Sequence, residues 1–145
     1  MTHLDEIHTL YQEYTETVQS LEQHRKLGKG IFGTKGGPKD DPCHARFSDD
    51  LERILKDLAQ AKPDSDTLRA VLTYIYTVPR DFSSVRTAYW MLLAVHGHTL
   101  PLIPLLSPED ARTLETQYAG CYSRWERLPV QTQVFKALGR AGRAS

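Results

Sequence analysis

Apolar residues along this chain recur every three or four positions, and almost nowhere every second one. Leu4, Ile7, Tyr11, Tyr14, Val18 and Leu21 make one such stripe, widened by Leu10, while Glu6, Gln12, Glu13, Glu16 and Gln19 fall opposite. That spacing predicts an amphipathic helix over 2–26. A helix of this kind is not stable alone, because its stripe needs other helices to cover it. Either the rest of the chain or a second copy would serve, and three heptads in a row also allow a coiled-coil seam.

The same period continues after a glycine-rich interruption. Phe47, Leu51, Ile54, Leu55 and Leu58 predict a second helix, with Asp49, Asp50, Glu52, Arg53, Lys56 and Asp57 outward. Asp41-Pro42 reads as its start, Asp as the N-cap and Pro in the first turn. "AKPDSD" ends that helix and caps a third, which carries Leu68, Val71, Leu72, Ile75 and Tyr76. After the break "TVPRD", a fourth helix is expected from Phe82 to His96, with Gly97 as its stop. "SPED" is a strong start signal: Ser107 caps, Pro108 takes the first turn, and Glu109 and Asp110 complement the helix dipole. Leu114, Tyr118, Cys121 or Tyr122, and Trp125 then face inward. A last helix follows Pro129 with Val130, Val134, Phe135 and Leu138, and "GRAGRAS" (139–145) reads as a flexible tail.

No segment longer than four residues alternates cleanly, and neither Asn-Gly nor Asp-Gly occurs as a hairpin turn. The expectation is one all-α domain over 1–145, a bundle of five or six helices with a long first helix and a Gly/Lys-rich loop at 28–41.

Composition changes little in this picture. The chain has 145 residues, 40% hydrophobic and 25% charged. That is one ordinary domain with enough apolar surface to fold without a metal or disulfide scaffold. Eighteen basic residues balance eighteen acidic ones. No net field draws the chain to nucleic acid or to an anionic membrane. Arg124, Arg127, Lys136, Arg140 and Arg143 make the C-terminal end basic, without the interleaved aromatics of a nucleic-acid surface. The most apolar run, "MLLAVHGHTLPLIPLL", is broken by His96, Gly97, His98, Pro101 and Pro104, so no spanning helix is expected. Only two cysteines occur, Cys43 and Cys121. With an opening that lacks the pattern of an export signal, they point to a reducing cytoplasm.

Three places carry candidate chemistry. Gly28, Gly30 and Gly33 fit G-x-G-x-x-G, and with Phe32 the kinase loop. Both motifs need a strand before them, where this chain predicts a helix, so nucleotide binding is not expected. Lys29, Lys35 and Lys39 among these glycines remain a candidate loop for an anion or an acidic partner. At the far end of the loop, Cys43 and His44 lie in the first turn of the second helix, where the positive end of the dipole favours a thiolate. Asp40 and Asp41 oppose that effect, and burial would make Cys43 an inert apolar residue. Finally, Cys43, His44, His96, His98 and Cys121 are the sulfur and imidazole groups from which a zinc site would have to come, although none shows a standard ligand spacing.

The sequence therefore predicts a non-enzymatic helical module that binds a protein partner or a second copy of itself, as a homodimer through the first helix, with no cofactor. The other reading is a thiol- or zinc-dependent site built around Cys43 and His44.

Overall fold

A computed structural model describes residues 2–27 (side chains through 23), 41–122 and 128–143. Among them are six α-helices and no strand. These are α1 (His3–Leu27), α2 (Cys43–Gln60), α3 (Ser65–Thr77), α4 (Arg86–Ala94), α5 (Pro108–Cys121) and α6 (Pro129–Arg143). Short 3₁₀ segments cover Val78–Phe82, Val95–Thr99 and Ile103–Leu105. The all-α bundle expected from the period of the sequence is what the chain forms.

The stripe of α1 is used inside its own chain. Ile7, Tyr11, Tyr14 and Val18 are buried, and α1 packs on α2, α3 and α4. Tyr14 stacks on Phe47 at 4.2 Å, and Tyr11 meets Phe47 and Tyr74 edge-on at 4.9 and 5.3 Å. Each aromatic pair contributes about 0.5–1.5 kcal/mol beyond the area it buries. The stripe is covered within the chain by α2 and α3, and the outer residues Gln12, Glu13, Glu16 and Gln19 are polar and exposed.

The caps act as their residue types suggest. Asp41 Oδ1 accepts the Cys43 N–H at 2.9 Å at the head of α2. Asp64 accepts from Thr67 N at 2.7 Å at the head of α3, and Ser107 Oγ from Asp110 N at 3.2 Å at the head of α5. Asp110 also ties two helix starts together. It accepts from Ser65 Oγ, lies 3.2 Å from Arg69 Nη1, and the Ser65 hydroxyl in turn accepts the Ser107 N–H at 3.0 Å. These bonds, the one from Ser65 foremost, hold the Asp110 carboxyl below the usual range.

Two expectations change. Helix α4 is shorter than 82–96. Residues 78–82 form a 3₁₀ turn behind Pro79, Val85 is non-helical (φ −106°, ψ 80°), and the chain tightens again at Val95–Thr99. The second change is at the C-terminal end, where 139–145 is not a tail from its first residue: α6 continues through Arg143. Gly139 and Gly142 are buried against α5, and a methyl group on Gly142 would come 2.8 Å from Arg112 Cγ. Arg112 Nη1 donates to the Gly142 carbonyl at 2.7 Å. The glycines that look like helix breakers are where α5 and α6 approach closely.

Candidate functional site

Helix α2 sets Cys43 and His44 facing inward in its first turn, and both are buried. The imidazole of His44 turns to α1, where Nδ1 hydrogen-bonds Tyr14 Oη at 2.7 Å. Burial, then the hydrogen bond and charge of Asp41, push the Cys43 thiol up to about 11. The helix dipole favours a thiolate by less than desolvation and a neighbouring carboxylate oppose it. Cys43 is thus buried at a position where the protonated thiol is favoured over the thiolate.

His96 lies fully buried between α3 and α5. Its Nε2 is 3.1 Å from the Ile75 carbonyl and its Nδ1 2.7 Å from Tyr118 Oη. A carbonyl can only accept, so Nε2 carries the proton, Nδ1 accepts, and the Tyr118 hydroxyl donates. Tyr76 Oη and Thr99 Oγ1 hydrogen-bond at 2.7 Å, and Thr99 Oγ1 also bonds the His96 carbonyl. Burial lowers the His96 pKa to about 3, so the ring is neutral. With both ring nitrogens engaged, it has no lone pair to offer a metal.

His98 is on the same 3₁₀ turn but faces α2. Its Nε2 is 2.9 Å from Ser48 Oγ and its Nδ1 3.2 Å from Glu52 Oε2. Four of the five candidate zinc ligands, Cys43, His44, His96 and His98, therefore point to separate partners. No three His, Cys, Asp or Glu side chains among the described residues converge as a metal site. Cys121, half-buried, lies 3.8 Å from Arg80 Nη1. Lys29, Lys35 and Lys39 lie outside the described residues.

One concavity among the described residues was not located by any motif. One wall is the apolar connector, with Leu100, Pro104, Leu106 and Pro108; the other is α6, with Gln133, Lys136, Ala137, Arg140 and Ala141. The α6 residues follow an i, i+3, i+4, i+7, i+8 stripe, one continuous helix face. The groove has a volume of about 690 Å³. It exists because Ala137 and Ala141 are too short to fill the space that the connector leaves, while Pro104 and Pro108 stiffen the opposite wall. Lys136 and Arg140 are exposed, and neither pairs with a carboxylate among the described residues. Both line the groove beside Ala137 and Ala141. Leu105, next to this wall in the chain, is 49% exposed.

Two signals for the groove were present in the sequence: the apolar connector and the basic C-terminal helix. That they face each other is visible only in the fold. Among the described residues, no helix is long and apolar enough to cross a membrane. Comparison of the chain with protein-family models, with curated proteins and with solved structures found no match in any of the three.

Proposed function

We propose that the protein is a non-enzymatic helical interaction module, and that the groove between residues 100–108 and α6 is its docking surface. The observation that carries this reading is an apolar concavity lined by two exposed cations one helical turn apart, Lys136 and Arg140, neither paired with a carboxylate among the described residues. The occupant that fits is an amphipathic helix of a partner protein, with an apolar stripe and carboxylates along one edge. The α6 wall runs eight helical steps from Gln133 to Ala141, about 12 Å, or roughly two turns of a docked helix. The first helix of a second copy does not fit, since the face it leaves outward is polar. Aspartate and glutamate opposite these two cations add steering and register more than affinity, and the apolar stripe supplies the affinity.

The test uses a designed amphipathic helix of about three turns, made in a glutamate-edged and a lysine-edged form, with binding followed by fluorescence anisotropy. The acidic form is expected to bind and the basic form not to. The double change Lys136→Glu, Arg140→Glu should reverse that order, and Ala137→Trp should block both. Binding that ignores both the charge of the peptide and Ala137→Trp would overturn the proposal, as would binding of neither peptide.

A further inference from the structure

The contacts of His98 form a chain that the docking function does not use. Ser48 and Glu52 are four residues apart on α2 and so share one face. His98, from the 3₁₀ turn Val95–Thr99, lies against both, with Nε2 at 2.9 Å from Ser48 Oγ and Nδ1 at 3.2 Å from Glu52 Oε2. A carboxylate beside Nδ1 favours the tautomer with its proton there, which leaves Nε2 as an acceptor for the Ser48 hydroxyl. This is the order of groups, hydroxyl, imidazole, carboxylate, by which a serine is activated as a nucleophile. The three side chains are open to solvent: His98 is 23% and Glu52 44% exposed, and Ser48 is half-buried.

The geometry points to Ser48 as an acylatable serine, with His98 as its general base and Glu52 as the residue that positions His98. The Ser48 oxygen attacks the carbonyl carbon of an activated ester while His98 Nε2 takes the hydroxyl proton. The bond from that carbon to the leaving oxygen then breaks, the proton passes to the departing group, and an acyl-serine remains. The size of the effect follows from what surrounds the hydroxyl. Ser48 lies within α2, whose backbone N–H groups are committed to the helix, so that backbone provides no oxyanion donors. What remains is general-base assistance, about 10²–10⁴-fold over an ordinary serine. The substrate class is therefore an ester or thioester with a good leaving group, and amides are excluded.

The full-length chain is treated with p-nitrophenyl acetate, and acetylated positions are read by peptide mass spectrometry over time. Ser48 is expected to react about a hundredfold faster than the exposed Ser83 and Ser84 of the same chain. His98→Ala should bring Ser48 down to their rate, and Glu52→Gln should slow it by less, with folding followed by circular dichroism. Equal rates at Ser48, Ser83 and Ser84 in the unaltered protein would overturn the inference without reference to any variant. So would an undiminished Ser48 rate in folded His98→Ala.

Discussion

Tyr118 donates its hydroxyl hydrogen to Nδ1 of His96 across 2.7 Å in the centre of the bundle. That bond joins α5 to the 3₁₀ turn after α4, and the Ile75 carbonyl on the other nitrogen adds α3. A buried imidazole with both nitrogens matched acts as a three-way connector. It keeps this role only while neutral.

Stability is therefore expected to depend on pH through His96. Its pKa is lowered from 6.5 to about 3 in the folded protein, by burial above all. Below pH 6.5 the unfolded chain takes up a proton that the native state refuses, so stability falls as pH falls and stops falling, for this group, near pH 3. Between pH 6.5 and about 5, above the carboxylate range, the loss should be about 1.5 kcal/mol. Urea unfolding across this window should show the slope in the wild type and a shallower one in His96→Gln. Identical slopes would mean that the ring is not held neutral.

Two tyrosine-to-phenylalanine changes should differ in sign. Tyr11 is 1% exposed, and its hydroxyl has no hydrogen-bond partner among the described residues. Removing a buried, unsatisfied polar group relieves a penalty, so Tyr11→Phe is expected to stabilise by about 1 kcal/mol. Tyr118→Phe takes away the donor to His96 and should cost about 1–2 kcal/mol. Denaturation midpoints of the two variants provide the comparison, and a destabilised Tyr11→Phe would show that its hydroxyl is satisfied in solution.

A third contrast concerns glycine in α5 and α6. A Cβ on Gly120 would meet nothing within 4 Å, whereas one on Gly142 would meet Arg112 Cγ at 2.8 Å. Gly120→Ala is expected to gain up to about 1 kcal/mol from helix propensity. Gly142→Ala should lose that gain and more, because Arg112 must shift and its bond to the Gly142 carbonyl is disturbed. Thermal melting of both variants tests whether α6 packs on α5 as far as residue 142.

Much of the architecture was legible because helix formation is read locally. Ser107 and Asp64 cap the helices that their positions suggest, Asp41 accepts the Cys43 N–H one residue ahead of the Pro42 cap, and the apolar steps of α1, α2 and α3 are buried, with Leu4, Leu10 and Leu21 only partly so. The local rules failed where distant parts of the chain meet. Gly139 and Gly142 read as an unravelling end because their use, close approach to Glu115 and Arg112 respectively, depends on a helix earlier in the chain. Cys43 sat at a helix start that favours a thiolate, and the burial that reverses the effect comes from the packing of α1 on α2.

The sequence by itself determined that this chain is helical, where its caps fall, and which face of each helix is apolar, since these follow from residue type and a period of 3.6. Only the tertiary structure decided that the stripe of α1 is covered within its own chain, and that His96 is locked between Ile75 and Tyr118. It also decided that His98 meets Ser48 and Glu52, and that the apolar connector faces Lys136 and Arg140 across a groove. Each of these joins residues more than twenty positions apart. Such pairings depend on how helices cross, which no local pattern encodes.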